Sequence, residues 1–259
     1  MLVIQAYEAK TTPEWIRRCM QTVEAWARSC GHDYRFSPVL FDRIPDWFRQ
    51  RCGSEIGPMT DLGRLLLMQS IFDEGEDAVI WVDADVVVFD PANLQVPPDP
   101  GFLCIDEVTV GCGEEGVPVI SSRTVNGALL AVSRGNAIFT IYRKAMESMV
   151  SAAPVGPLPR TVAGPQLLTR LARQEPVARL TSVGLFTPSI LNDLAQGEET
   201  LPRAFSRAFG HRVAAANLCH FYRDTIDQGD VPVYDDIMLR VIDRLVDSRG
   251  EIVNRYLRE

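Results

Sequence analysis

Apolar runs that end at polar residues predict a chain in which strands and helices alternate. The first run, Leu2–Tyr7, has the character of a strand, and apolar residues then recur at helical spacing from Trp15 to Cys30. A second strand is predicted over Tyr34–Leu40 and a second helix from an N-cap near Thr60 to Gly75. The uninterrupted run Ala78–Val82 predicts a strand buried on both faces. This β-α-β-α-β order predicts an α/β fold with a mostly parallel sheet and right-handed crossovers.

The second half of the chain has less regular patterns. The elements predicted there are strands over 102–106 and 125–133, a helix over 136–150, a short helix over 164–173, a strand over 214–221 and a closing helix over 233–246. Neither an internal repeat nor a low-complexity linker divides the sequence. We therefore expect one domain that spans residues 1–259.

Composition and charge limit the classes of partner that this chain is expected to bind. Its 259 residues carry a formal net charge of -8, which argues against a general affinity for nucleic acid or anionic membranes. The six cysteines form no C-x-x-C pair, a distribution typical of small buried side chains in a reducing compartment. No leader-like segment precedes Leu2, and no window offers the roughly 18 apolar residues of a membrane span. We expect a cytoplasmic protein without an integral membrane segment.

Two carboxylates, Asp83 and Asp85, follow the buried strand directly. Because burying an unpaired carboxylate costs several kcal/mol, this pair predicts a partner at the open end of the sheet. Oxygen ligands of this kind suit Mg²⁺ or Mn²⁺ that bridges phosphate oxygens. His220, at the end of the late strand, is a candidate third metal ligand, although an isolated histidine in an apolar strand is more often structural.

The predicted second helix carries Asp61 and Arg64 near its start, spaced so that both side chains share one face. One interpretation is a carboxylate that complements the helix dipole and pairs with the arginine. The other is a carboxylate that binds a sugar and an arginine that orients it and reaches a phosphate. The sequence alone leaves both open.

These segments resemble a known family. Thr60–Arg64 followed by Trp81–Val86 resembles the glycosyltransferases whose sugar-binding region carries a DXD motif, which include capsular-polysaccharide and fungal mannosyltransferase types and, more distantly, the clostridial glucosylating toxins. Asn126–Ala128 is similar to the family's asparagine-plus-small-residue strand, and Thr161–Gln166 to its Gly-Pro helix start. His220 is similar to its late metal-binding histidine.

The resemblance implies a GT-A fold, which is a Rossmann-like, mostly parallel sheet flanked by helices. It also implies a nucleoside-diphosphate sugar donor, such as a UDP- or GDP-sugar, and Mn²⁺ or Mg²⁺ as cofactor. Residues 1–92 would bind the nucleotide sugar, and residues 93–259 would bind an acceptor carbohydrate or small molecule and supply the late metal ligand. The implied site residues are Asp61, Arg64, Trp81, Asp83, Asn126 and Gly127 at the donor, Asp83, Asp85 and His220 at the metal, and Gln166, Asp61 and Arg64 in catalysis.

One departure concerns Trp81, which stands where the family commonly has a tyrosine two residues before the first aspartate. This leaves the identity of the donor open. The related families retain anomeric configuration, so retention is expected here. An inverting enzyme would instead need a carboxylate base, for which Asp106, Glu107 and Asp193 are candidates.

Other classes of protein fit parts of the same pattern. A haloacid-dehalogenase-like, Mg²⁺-dependent phosphatase would use Asp83 as nucleophile, Lys144 at the phosphate and Asp235-Asp236 as a late metal pair. A non-catalytic sugar-nucleotide-binding protein would keep the same contacts without turnover. A sugar-phosphate nucleotidyltransferase would need a glycine-rich basic loop after the first strand, and Glu8–Thr12 is not such a loop.

Overall fold

The structure of this protein is a computed structural model that describes residues 1–8, 10–113, 117–154, 158–220 and 234–258. Its strands are β1 (Leu2–Ala6), β2 (Asp33–Ser37), β3 (Ala78–Val82), β4 (Val86–Val88), β5 (Phe102–Cys112), β6 (Pro118–Ser133), β7 (Ala178–Leu180), β8 (Val183–Leu185) and β9 (Ala215–Asn217). Its α-helices are α1 (Glu14–Ser29), α2 (Asp46–Cys52), α3 (Ile56–Asp73), α4 (Ala137–Ala152), α5 (Leu167–Leu171), α6 (Pro188–Gln196), α7 (Thr200–Phe209), α8 (Tyr234–Asp247) and α9 (Glu251–Asn254). A π-helical turn, Val162–Gln166, leads directly into α5.

The main sheet has six strands in the order β2-β1-β3-β6-β5-β7. Strand β6 runs antiparallel to both β3 and β5, whereas the other neighbouring pairs are parallel. This exception arises because β5 and β6 form a hairpin, so β6 must return against the direction of β5. A smaller sheet, β4-β9-β8, lies beside it. The mostly parallel α/β architecture predicted from the sequence is confirmed.

Both faces of the main sheet are covered, as the apolar run of β3 requires. Leu2, Ile4 and Trp81 belong to a core cluster with α2, α3 and α4, whereas Val3 and Ile80 belong to one with α1 and the smaller sheet. Successive strand residues therefore point into different layers. A further cluster joins α1 to α6, α7 and α8 beneath the smaller sheet.

Several predicted boundaries need correction. Helix α3 begins at Ile56, one turn before the predicted N-cap at Thr60, and its first turn accepts Pro58 because the first amides of a helix need no intrahelical acceptor. The hairpin strands β5 and β6 are longer than predicted, and the late strand ends at Asn217. The predicted end of that strand, Phe221, lies outside the described residues.

Helices α2, α6 and α7 were not predicted from the sequence. For α6 a local signal exists, because Pro188 occupies its first turn and the Thr187 hydroxyl accepts a hydrogen bond from the amide of Ile190 (3.5 Å). No helix in the described ranges combines the length and the apolar character that a bilayer crossing requires.

Candidate active site

A cavity of about 630 Å³ opens where β1 and β3 end, at the carboxyl ends of parallel strands. Ligands of open α/β sheets bind at this edge. The side chains around the cavity include seven that the sequence predicted as site residues: Asp61, Arg64, Trp81, Asp83, Asp85, Asn126 and His220. The fold therefore brings residues from α3, β3, β6 and the segment after β9 to one place.

Arg64 is the centre of a buried polar network in this cavity. Its Nη2 donates to Asp83 Oδ1 (2.9 Å), its Nη1 donates to the carbonyl oxygen of Gly127 (3.0 Å), and Nη1 lies 3.6 Å from Asp61 Oδ1. The guanidinium also lies over the Trp81 ring, 5.3 Å from its centroid. These contacts fix the arginine between the two carboxylates.

Asp83 is held from several directions. Its Oδ1 also accepts from Trp81 Nε1 (2.6 Å), and its amide donates to the carbonyl of Ala128 (2.7 Å). Its carbonyl accepts from Nε2 of the fully buried Gln5 (3.0 Å), a residue of β1. The end of β3 is thus tied to β1, β6 and α3, which makes the position of this carboxylate part of the fold.

Because two glycines carry no side chain, Arg64 and Asp61 can occupy the space beside them. A Cβ atom at Gly127 would lie 2.5 Å from Arg64 Nη1, and one at Gly164 would lie 2.7 and 2.8 Å from the two carboxylate oxygens of Asp61. Real Cβ atoms essentially never approach other atoms this closely. Gly127 therefore allows a close backbone approach, in which its carbonyl accepts from Arg64, and its role in binding the donor stays a prediction.

Asp85 connects the end of β3 to the segment after β9. Its Oδ2 accepts from the amide of His220 (2.7 Å), and its carbonyl accepts from the amide of Leu218 (3.0 Å). The ring of His220 packs near those of Tyr7 and Trp15, with centroids 6.1 and 5.5 Å away. The structure thus brings Asp85 and His220 together through a backbone contact.

Burial controls the titration of these acids. Desolvation raises the pKa of Asp61 to about 6, against the opposing charge of Arg64. Desolvation likewise raises the pKa of Asp83 to about 6, with Arg64 opposing and Asp85 adding to the rise. The pKa of Asp85 is raised by burial, against the hydrogen bond from the His220 amide. These carboxylates favour a neighbouring positive charge more than surface acids would.

The acidic side chains at the cavity supply part of the ligand set that a divalent cation needs. Within the described ranges no group of three or more His, Cys, Asp or Glu side chains is arranged so that it could hold a metal ion. Asp83 and Asp85 nevertheless line the same cavity, and the charge of Asp85 adds to the rise in the pKa of Asp83. Two carboxylates fit a cation whose remaining ligands come from phosphate and water, as Mg²⁺ often has. His220 as a third ligand stays a prediction.

Asn126 reaches the cavity from β6. Its Nδ2 donates to Glu107 Oε2 and its Oδ1 accepts from the amide of Ala128 (2.8 Å). Glu107 also accepts from the Thr124 hydroxyl (3.2 Å), and burial raises its pKa. Glu107 lines the cavity as well, so one of the three candidate bases lies at the site.

Other predicted residues lie elsewhere. Gln166 is exposed and does not line the cavity; its amide donates to the hydroxyl of Thr161 (2.9 Å), which does. Asp106 pairs with Arg179 (2.8 Å), and Asp193 accepts from the amide of Leu201 (3.0 Å). The residues that a phosphatase would add, Lys144, Asp235 and Asp236, are not among those that line the cavity with Asp83.

Sequence analysis missed Gln5 and Gly164. Gln5 was visible as the single polar side chain within the apolar run of the first strand, which indicates a buried hydrogen-bonding role. Gly164 was noted only as part of a Gly-Pro helix start. Its contact with Asp61 depends on how the π-helical turn packs against α3, and no local pattern reports that.

No protein-family model matches this sequence, and no curated protein gives a significant match. Among solved structures, the chain is similar to a glycosyltransferase involved in the glycosylation of the major capsid of PBCV-1, with a TM-score of 0.50 and 13% identity over 86% of this chain and 95% of that one. The galactosyltransferase LgtC, in complex with donor and acceptor sugar analogs, aligns over 94% of this chain and 95% of its own, with 15% identity and a TM-score of 0.44. The PBCV-1 likeness confirms the α/β, GT-A fold.

Proposed function

We propose that this protein is a metal-dependent glycosyltransferase that moves a sugar from a nucleoside-diphosphate sugar to an acceptor hydroxyl with retention of configuration. The observation that carries the proposal is the convergence of Asp61, Arg64, Asp83, Asp85 and Asn126 on one cavity at the carboxyl edge of the sheet. The activity of the PBCV-1 glycosyltransferase of similar fold supports the same reaction class.

The reaction breaks the bond between the anomeric carbon and the diphosphate and forms a bond from that carbon to the acceptor oxygen, whose proton passes to the departing diphosphate. Asp83 and Asp85 would hold Mn²⁺ or Mg²⁺, with His220 as a proposed third ligand. When bound, the cation neutralises charge on the departing diphosphate. The division of residues 1–92 and 93–259 into donor and acceptor halves belongs to this proposal.

Arg64 and Asp61 contribute the fixed charges of the chain itself. Arg64 keeps Asp83 in place, and its Nε–H is buried without a hydrogen-bond partner in the described part of the chain. A buried N–H group that lacks an acceptor suits a phosphate or sugar oxygen as its hydrogen-bond partner. Asp61 lines the cavity beside Gly164 and would accept hydrogen bonds from sugar hydroxyls. Preorganised groups of this kind favour the transition state because they need not reorganise during reaction.

Asn126 and Trp81 complete the proposed donor site. Asn126 is oriented by Glu107, which leaves that carboxylate engaged in hydrogen bonds rather than open as a base. This engagement supports retention over inversion. Gln166 would act from the exposed turn beside Thr161, which makes it the most peripheral of the proposed catalytic residues.

The test is a calorimetric screen of UDP- and GDP-sugars with MnCl₂ and with EDTA, followed by donor hydrolysis. We expect one donor to bind only with the cation, and Asp85→Asn to weaken binding by at least about 100-fold. Asparagine keeps an oxygen for the His220 amide, so the variant should fold. Asp247→Asn, at an exposed position of α8, is the matched control and should bind normally.

Two outcomes would contradict the proposal. The first is that no nucleotide sugar binds with Mn²⁺ present. The second is hydrolysis of simple phosphate esters with a phosphate analogue attached to Asp83, which would establish the phosphatase. Retention has a separate test, since product NMR with an anomeric configuration opposite to the donor's would show inversion.

A further inference from the structure

A second cavity, of about 310 Å³, lies next to the first. Its charged and titratable lining residues come from β5, β6, β7 and the segments after α5 and α7: Asp106, Glu107, Arg123, Arg173, Arg179 and His211. Glu107 lines both cavities. No role predicted from the sequence falls on the arginines of this second cavity.

The balance of charge in this cavity is positive. Arg179 is matched by Asp106, with Nη1 and Oδ1 2.8 Å apart. Arg123 and Arg173 have exposed side chains. Arg123 Nη2 donates to the carbonyl of Ala208 (2.5 Å), the side chain of Arg173 forms no hydrogen bond within the described ranges, and neither arginine forms an ion pair there. A concave cluster of arginines is notable in a chain of net charge -8, because a generally basic surface does not account for it.

The wall between the cavities is a hydrogen-bonded unit. Thr124, on the side of the second cavity, donates to Glu107 Oε1 (3.2 Å), and Asn126, on the side of the first, donates to Oε2. Opposite them, the hydroxyl of Thr169 accepts from the amide of Val125 (2.9 Å). These bonds give the second cavity a fixed floor rather than a loose surface of side chains.

We propose that this second cavity binds a small organic oxyanion through Arg123 and Arg173. Guanidinium groups recognise carboxylate and phosphate in a two-pronged geometry. A volume of about 310 Å³ lies at the lower end of the range for small-molecule sites, which suits a molecule the size of one charged sugar rather than a polymer. The group recognised is a phosphate or a carboxylate, and the inference stands independently of the proposed transfer reaction.

The experiment titrates the full chain, in EDTA, with inorganic phosphate, with glucuronate and with uncharged glucose. Calorimetry gives the affinities, and ¹H–¹⁵N spectra locate the response. We expect at least one anion to bind while glucose does not, with shifts at Thr124 and Thr169 rather than at Asp61. Arg173→Gln should weaken the binding by about tenfold, the loss expected for one charge-assisted hydrogen bond. Arg170→Gln removes an equal charge from an exposed position of α5 outside the cavity and should bind as the parent does.

The probes distinguish the two chemical groups, carboxylate and phosphate, that the cavity could recognise. Stronger binding of glucuronate assigns the site to a carboxylated sugar, and stronger binding of phosphate assigns it to a phosphate group. The proposal is overturned if neither anion binds, if the shifts lie only around Asp61, or if Arg170→Gln and Arg173→Gln weaken binding equally. Because none of these readouts needs a donor or turnover, their failure is distinct from failure of the glycosyltransferase proposal.

Discussion

Gly164→Ala is expected to damage the candidate active site without adding or removing any polar group. The new Cβ would lie 2.7 and 2.8 Å from the carboxylate oxygens of Asp61. Ordinary contact begins at 3.4 Å, so the carboxylate would have to retreat by about 0.6–0.7 Å. Asp61 is only 8% exposed and is paired with Arg64, which is bound to Asp83. A retreat of Asp61 would therefore shift the whole network.

The expected cost follows from two opposing effects. Overpacking of a well-packed site costs about 1–3 kcal/mol, whereas alanine in place of glycine in a helical backbone returns about 0.5–1 kcal/mol. The free energy of unfolding should therefore fall by roughly 0–2.5 kcal/mol. A displacement of this size in a positioning group costs up to about 100-fold in activity. We expect donor hydrolysis to fall roughly 10- to 100-fold in a variant that remains folded.

The assay pairs urea unfolding, followed by circular dichroism, with donor affinity and hydrolysis for each variant. Gly111→Ala is the matched control, because a Cβ there meets nothing within 4 Å and the residue has no left-handed backbone. That control should leave both quantities close to the parent values. The reasoning is refuted if Gly164→Ala binds and hydrolyses the donor normally, since the close contact with Asp61 would then have no consequence for the site.

Three further substitutions test the buried network. Asp61→Asn should stabilise the protein by about 2 kcal/mol more at pH 7.5 than at pH 4.5 in urea unfolding, because a pKa of about 6 in the fold against 3.8 means that ionisation of Asp61 destabilises the fold as the pH rises through this range. Trp81→Phe removes the donor to Asp83 Oδ1 and should cost about 1–2 kcal/mol of unfolding free energy and several-fold in calorimetric donor affinity. Gln5→Met leaves the carbonyl of Asp83 without its side-chain hydrogen bond and the hydroxyl of Tyr34 without its acceptor. It should lower the free energy of unfolding by about 1–3 kcal/mol and weaken the calorimetric affinity for the sugar donor.

Controls separate local effects from general ones. Trp26→Phe removes a comparable indole bond, to the carbonyl of Leu94 (3.0 Å), in the core cluster around α1, and should lower stability without changing donor affinity. Equal losses of donor affinity in Trp26→Phe and Trp81→Phe would contradict the positioning role of Trp81. A stability difference between Asp61→Asn and the parent that does not change with pH would contradict the raised pKa of Asp61. Unchanged donor affinity in Gln5→Met would show that β1 does not position Asp83.

The elements that the sequence predicted best are those whose signals are local. The strand Ala78–Val82 was predicted with its observed bounds, because an apolar, β-branched run identifies a buried strand by itself. Helix α4 was predicted to within two residues, since Asn136 caps it and apolar residues follow at helical spacing. The start of α3 was misplaced because Thr60 carries the local signal of an N-cap, whereas the helix begins one turn earlier with Glu55 at the N-cap and no side-chain capping bond.

Several site residues were recognisable from residue type and position alone. Asp83 and Asp85 follow a strand buried on both faces, where an unpaired carboxylate is costly, so their position alone indicated a partner. Asp61 and Arg64 were ambiguous in the sequence, since a pair spaced three apart on a helix is also an ordinary surface ion pair. Their near-complete burial against Asp83 and Gly127 excludes a surface ion pair, and the binding of a sugar by Asp61 and Arg64 stays a prediction.

The sequence by itself determined the alternating α/β pattern, the buried strand β3 and the acidic pair that ends it, since each is encoded by neighbouring residues. Only the tertiary structure decided that β6 inserts antiparallel between β3 and β5, which carries Asn126 to the cavity and Gly127 to Arg64. It also decided that Gly164 packs on Asp61 and that Glu107 separates two cavities. The physical reason is that these contacts join residues tens of positions apart, so they depend on how whole elements pack rather than on any local preference for helix or strand.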